Sequence, residues 1–291
     1  MPAVVPASRF FAPPTTPFDT EVAVLAAGCL LRDDARVGGL SWIASLDLPD
    51  APLWAVVADR AGGSADHAGR LAEHVLAHFR AEVVPAPAER NVVVASAEIA
   101  NGMSARLLEA GFSRSDDLFF GLSSDALAHV EAAPLELEPM VGDEPWRDWG
   151  VVERALLDER FAHAVPDALI DRTVEFKRRQ QRHSPPIRRF LARDEAGTPI
   201  AMIGYAPFGA CDLGFAPAGV LARLRDVAVV PRARRRGVAR ALLRAIAARA
   251  IDECDATQIL ICASASNAGL SLYRSVGARP IGGFVAFRGD L

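Results

Sequence analysis

The stretch LRDVAVVPRARRRGVARALLRAIAARA, from Leu224 to Ala250, constrains this chain more than any other part of it. Its β-rich apolar run (Val227, Val229, Val230) stops at Pro231. The chain then passes an arginine-glycine turn and enters a segment with apolar residues at helical spacing, Val238, Leu242, Ile246 and Ala250. That order predicts strand, turn, helix. At the start of such a helix several backbone N–H groups lack intrahelical acceptors, and the helix dipole adds partial positive charge. An anion belongs there. Gly237 lets the backbone approach a phosphate with no side chain between, and Ala239 is nearly as small. Arg234, Arg235 and Arg236 add charges able to form charge-assisted hydrogen bonds. At about 1.5–3 kcal/mol for each such bond, a diphosphate can be held firmly. The plainer readings are a solvated helix start or a nucleic-acid patch carried by RARRR. Against the second, no further basic patch with interleaved aromatics accompanies it.

A second stretch follows downstream: ASNAGLSLYRSVGA, from Ala265 to Ala278, preceded by the apolar run Ile259, Leu260, Ile261 and Cys262. Arg234-x-x-Gly237-x-Ala239 resembles the acyl-CoA pyrophosphate loop of the GCN5-related N-acetyltransferase (GNAT) superfamily. The second stretch resembles that family's fifth strand and the helix after it, in the form AS-x-x-G-x-x-L-Y carried by Ala265, Ser266, Gly269, Leu272 and Tyr273. Many members carry Asn seven residues before the Tyr; here that position is Ser266, with Asn267 one later.

The resemblance implies an α/β fold of two tandem GNAT-like domains, each a mixed, mainly antiparallel sheet with splayed fourth and fifth strands flanked by helices. It implies acetyl-CoA as co-substrate, no metal, and direct acyl transfer to an amine acceptor. Tyr273 takes the place of the general acid toward the CoA thiolate. With a phenol near pKa 10 and a thiol near about 8.5, that proton transfer is nearly isoenergetic. Backbone groups of Val227, Ala228 and Val229 would pair with the pantetheine amides, and an N–H near Val229 would face the oxyanion. Arg234, Arg235, Arg236, Gly237, Val238, Ala239 and Arg240 would hold the diphosphate, and Ser266 and Asn267 the pantetheine arm. Asp226 stands where some members keep a catalytic carboxylate or histidine, although a salt bridge with Arg225 is the simpler role. A ring packed on a helix face is likewise the plainer role for Tyr273.

The chain has 291 residues, enough for two domains, and its 51% hydrophobic content suffices for two cores. A net charge of −4 argues against a general nucleic-acid binder. Four separated cysteines, Cys29, Cys211, Cys254 and Cys262, indicate neither a disulfide framework nor a zinc site. His74 and His78 lie one helical turn apart but lack a third ligand, and a solvated helix face is the simpler reading. The proline-rich opening residues lack a signal-peptide pattern, and no long apolar run occurs, so a soluble, cytoplasmic protein free of membrane is expected.

The first half repeats the order seen around Tyr273. Asn101 to Gly111 has the spacing of Asn267 to Gly277. Setting Arg70 opposite Arg240 makes Ser64 to Gly69 the first copy's phosphate loop, with no arginine, with Asp66 facing the phosphates and with His67 in place of the glycine. Leu107 stands where Tyr273 stands. The expectation is a degenerate domain over 1–130 and a catalytic one over 131–291. Within the second, helices are expected over 144–160 and 166–182, a hairpin over 187–193 and 199–205, a loop over 207–219, and a closing strand over 282–288. Two other readings stay open: an acyl-CoA-binding sensor without turnover, and an enzyme like mycothiol synthase, which resembles this chain in its tandem arrangement with a silent first copy.

Overall fold

The computed structural model describes residues 11–27, 30–33, 40–44, 53–58, 65–81, 90–182, 187–267 and 269–289. Cys29 and Ser64, both used in the sequence reading, lie outside these. In chain order the elements of the first half are α1 (Pro17–Ala26), β1 (Leu30–Asp33), β2 (Leu40–Ala44), β3 (Leu53–Val57), α2 (Ala65–Ala81), β4 (Arg90–Val94), α3 (Ala97–Glu109) and β5 (Ser113–Ser123). Those of the second are α4 (Ser124–Ala128), β6 (Glu138–Pro139), α5 (Glu144–Phe161), α6 (Asp167–Arg182), β7 (Arg188–Arg193), β8 (Pro199–Cys211), β9 (Gly219–Val229), α7 (Val238–Cys254), β10 (Ala256–Ser264), α8 (Leu270–Ser275) and β11 (Arg279–Gly289). The class is α/β, with mixed pairing: β3–β4 and β9–β10 are parallel, while β1–β2, β2–β3, β4–β11, β6–β7, β7–β8 and β8–β9 are antiparallel.

Two compact units emerge. One comprises the described residues of Glu21–Leu118, Ala263–Ala268 and Gly282–Leu291. Its strands run β1-β2-β3-β4-β11. Apolar residues three and four apart put Leu71, Val75 and Phe79 of α2 and Ile99, Met103 and Leu107 of α3 into one core with Val92, Val94, Val285 and Phe287. The parallel strands β3 and β4 stay paired along their whole length, from Leu53 opposite Arg90 to Val57 opposite Val94. Ala95 N–H continues the ladder by donating to Val57 O at 3.0 Å. His78, expected on a solvated face, instead stacks on Trp42 with centroids 3.7 Å apart. The closing strand expected over 282–288 is present within β11; residues 285–289 of β11 pair with β4, and Val285 and Phe287 complete this unit's core, so residues from Gly282 on group with it and not with the second half.

The other unit comprises the described residues of Met1–Thr20, Phe119–Cys262 and Gly269–Ile281. Its strands run β10-β9-β8-β7-β6. The sheet is buried on both faces at β8, where every residue from Pro199 to Phe208 is buried. Leu242, Leu243, Ile246 and Ala250 of α7 and Trp146, Trp149 and Val152 of α5 supply the apolar cover. Adjacent residues of β7 show the two faces. Arg188 pairs with Glu253 of α7, whereas Arg189 donates to Gln180 of α6. The loop expected over 207–219 is shorter, 212–218, since β8 runs on to Cys211. Glycine, alanine and proline hid the strand. Its extra residues are held by β9 and by Phe11, whose N–H donates to Pro207 O at 2.9 Å and whose ring stacks on Phe208. Phe11 thus covers an edge that β7 leaves open.

Gly204 shows how tight the sheet is beside the site. A Cβ there would lie 2.7 Å from Arg188 O and 3.1 Å from Arg189 Cγ. Gly204→Ala is expected to destabilise the protein by about 1–3 kcal/mol through overpacking, measured by denaturant unfolding.

Candidate active site

Strands β9 and β10 begin as a parallel pair and then part. Their register runs from Val220 opposite Ala256 to Arg223 opposite Leu260 and stops there. Both strands continue, β9 to Val229 and β10 to Ser264. Side chains on β9 are buried from Leu221 to Leu224 and half-buried from Arg225 to Ala228, as expected where a strand loses its neighbour. Among the described residues, β10 does not pair with β9 over 224–229. A strand edge carries amide donors and acceptors at regular spacing, which suits an extended ligand that itself carries amides.

At the same place β9 bulges on its other edge. Its pairing with β8 slips between Met202, opposite Ala228, and Gly204, opposite Arg225. Two residues, Asp226 and Val227, therefore fill one step, and Asp226 takes the left-handed conformation at φ 55°. This costs about 1–2 kcal/mol for a residue other than glycine, so something must hold it. Lys177 Nζ of α6 lies 2.9 Å from Asp226 Oδ1, and Arg189 Nε of β7 lies 2.8 Å from Oδ2. Lys177 also bonds Glu153 of α5, whose Oε1 accepts from Trp149 Nε1 at 3.0 Å. Arg189 donates further to Gln180 Oε1 at 2.6 Å and to Lys177 O at 2.8 Å.

Burial alone would raise the Asp226 carboxyl, but Lys177 and Arg189 outweigh it and hold the group far below the usual carboxylate range. Burial alone would lower Lys177, yet Asp226 and Glu153 leave it raised. The signs fix the pH window. The stabilisation from Asp226 is present above its unfolded value and lost only as pH falls through the lower folded one. That from Lys177 is present below its unfolded value and lost as pH rises through the higher folded one. Asp226→Asn is therefore expected to cost about 3–5 kcal/mol by leaving buried cations undercompensated. The cost should be the same in denaturant unfolding at pH 5 and at pH 8.

Beyond β9 a single 3-10 turn, Pro231–Ala233, leads to the helix start. Arg235 (φ 58°) and Gly237 (φ 80°) both adopt left-handed backbone, and Gly237 caps α7. Among the described residues, the first amide after Arg234 to reach a backbone acceptor is that of Ala241, bonded to Gly237 O at 3.0 Å. The amides of residues 235–240 remain for a ligand. A Cβ added to Gly237 would meet no atom beyond its chain neighbours within 4 Å, so the turn is open at this residue. Arg235 and Arg236 are exposed. Arg234 is engaged instead: its Nε donates to Val229 O at 3.0 Å, and its two terminal nitrogens grip Glu159 at 2.7 and 2.6 Å. That bidentate pair pulls the Glu159 carboxyl below its ordinary value. Arg240 donates to Ser275 Oγ at 2.9 Å, tying the start of α7 to α8.

Tyr273 sits in α8 and is 5% exposed, its ring centroid 6.0 Å from that of Phe120. Burial raises its phenol above the ordinary value, opposed by the charge of Arg223. The tyrosine is thus fully protonated at neutral pH.

A family model described as Acetyltransferase (GNAT) family matches residues 148–278, a span holding the parted strands, the amide-lined turn and Tyr273. This part of the chain belongs to the GNAT family. Solved structures share the fold at low identity. A GCN5-related N-acetyltransferase from Kribbella flavida has a TM-score of 0.56 at 16% identity, covering 94% of this chain and 93% of its own. A conserved protein of unknown function from Staphylococcus epidermidis has a TM-score of 0.66 at 10% identity, over 91% and 95% of the two chains. A tandem GNAT protein from the clavulanic acid biosynthesis pathway has a TM-score of 0.51 at 15% identity, over 96% and 90%. No curated protein matches the sequence. GNAT enzymes use acetyl-CoA, and the residues present suit its parts: an amide cluster in a turn open at Gly237 for the diphosphate, and the β9 edge that β10 does not pair for the amide-bearing arm.

Of the residues singled out in the sequence, Asp226 to Val229, Arg234 to Arg240 and Tyr273 fall in the same unit. Ser266 and Asn267 group with the other unit, in a turn where Ser266 Oγ lies 2.9 Å from Ser264 Oγ and Asn267 N–H donates to Ser264 O. Lys177 and Glu153 were not singled out for the site, and Arg189, read with Arg178, Arg179, Arg182 and Arg188 as a basic cluster on a solvated face, is buried. The signal was present, since Lys177 is the single lysine of an arginine-rich chain. Among the described residues no cluster of histidine, cysteine and acidic groups could hold a metal, and no helix is long and apolar enough to cross a membrane.

Proposed function

We propose that the chain is an acyl-CoA-dependent N-acyltransferase that transfers an acyl group, acetyl in the simplest case, directly to an amine on a small molecule or peptide. Residues 131–291 carry the catalysis and 1–130 form a degenerate copy. The observation that carries this reading is the parting of β9 from β10 directly before an amide-lined turn that is open at Gly237. In the first half, the equivalent parallel strands β3 and β4 never part, and Leu107 is a core residue in place of a phenol, which supports the degenerate assignment.

The CoA thioester supplies an activated carbonyl and a leaving thiolate. The amides of residues 235–240, with Arg235 and Arg236, bind the diphosphate, and the β9 edge over 224–229 orients the arm, which turns a bimolecular reaction into a positioned one. Tyr273 keeps its proton until the C–S bond breaks and then gives it to the departing sulfur. The proton released by the attacking amine passes to water. Asp226 is not assigned the role of base, because a carboxylate held so far down by two cations is a poor proton acceptor. We assign it to the backbone bulge instead.

The test is a thiol-release assay with acetyl-CoA and a panel of amines on the full-length protein. Release that depends on an amine is the expected result. Binding of acetyl-CoA with no release for any amine class would replace this reading with the sensor.

A further inference from the structure

We infer that Lys177 is a positioning residue for acyl transfer: with Arg189 it clamps Asp226 and so holds the β9 bulge beside the parted stretch of β10. The inference rests on the proposed use of the β9 edge as the thioester site.

The bulge decides which backbone groups β9 presents. Strand side chains and amides alternate with period two, so one extra residue reverses the register of everything beyond it. Without the slip at Asp226, residues 227–229 would offer the opposite set of donors and acceptors to the cleft. The left-handed backbone of Asp226 is unfavourable by itself, and its side chain is held at both carboxylate oxygens. Both carboxylate oxygens are taken, one by Lys177 at 2.9 Å and the other by Arg189 at 2.8 Å.

The clamp joins three elements. Arg189 fixes Asp226 from β7, two strands away in the same sheet, Lys177 from α6, and Glu153 orients Lys177 from α5. Two acids and two bases close into a balanced chain, with side chains between 1% and 17% exposed. The indole of Trp149 bonds Glu153 and lies under the Lys177 ammonium, 5.5 Å from it. A compact ammonium reaching two carboxylates at once fits this corner, whereas a neutral side chain would free one oxygen of Asp226 and leave a buried negative charge.

Three variants separate positioning from stability: Lys177→Met, the charge-balanced pair Lys177→Met with Glu153→Gln, and Lys177→Arg. The balanced pair is expected to regain most of the thermal stability lost by Lys177→Met without regaining the clamp. Hydrogen exchange on the unliganded protein reads the clamp directly. In the balanced variant the peptide covering residues 225–229 should exchange at least tenfold faster than in wild type, with the peptide covering 241–250 unchanged. In turnover its kcat should fall about 10–100-fold with the dissociation constant for CoA within about threefold, and Lys177→Arg should recover part of kcat. Unchanged exchange at 225–229, or kcat that recovers together with stability, overturns the inference. A wild-type protein that neither binds nor cleaves acetyl-CoA overturns the reading of the site, while the exchange result still judges the clamp.

Discussion

Tyr273→Phe lowers kcat by about 10²–10⁴-fold and leaves the dissociation constant for CoA within about threefold, the expected outcome for loss of a general acid whose ring only packs. The ring lies beside Phe120 and is almost fully buried, so phenylalanine keeps the packing and the fold. Only the proton is lost. The pH profile gives a second readout. Burial raises the Tyr273 phenol, so wild-type kcat should hold through neutral pH and decline only above the ordinary phenol range. In Tyr273→Phe that alkaline decline should vanish along with the rate. A variant with unaltered kcat would reduce Tyr273 to a packing residue, as spacing alone allowed.

Gly237→Val is expected to weaken CoA binding by about 100-fold or more. Two separate costs apply. A β-branched residue is strained at φ 80°, which lowers stability by about 1–3 kcal/mol. Its Cβ meets no atom beyond its chain neighbours within 4 Å, so the turn is open at this residue. The branched side chain instead occupies the space in front of the amides of residues 235–240. Losing two charge-assisted bonds of about 1.5–3 kcal/mol each accounts for two orders of magnitude in affinity or more. Thermal unfolding checks the first cost, and calorimetric titration with CoA checks the second.

The parts of the site legible in the sequence are those set by neighbouring residues. Pro231 ends a strand, Gly237 tolerates a left-handed turn, and apolar spacing from Leu242 to Ala250 makes the helix that follows. Tyr273 was placed on a helix because Gly277, at φ 88°, closes it within one turn. Features made by distant residues were not legible. Asp226 reads locally as part of a regular strand beside Arg225, whereas Lys177 and Arg189 hold it in a bulge. The strand β5 is not legible, its polar opening Ser113–Asp117 masking the buried run Phe119–Leu122 behind it. Helix α3 begins at Ala97, capped by Ser96, so Asn101 lies inside a helix while its supposed counterpart Asn267 precedes one. The repeat is thus clearer in strand and helix order than in local spacing. Pairing of β11 with β4 is a matter of topology, and no local pattern encodes it.

Titration of acetyl-CoA into the full-length wild-type protein, followed by calorimetry, tests the central claim most directly. Saturable binding at one site per chain, weakening as salt rises, is the expected result. Absence of heat at concentrations well above the millimolar range, or binding that Gly237→Val leaves intact, would contradict the assignment of the parted strands and the amide-lined turn to a CoA thioester.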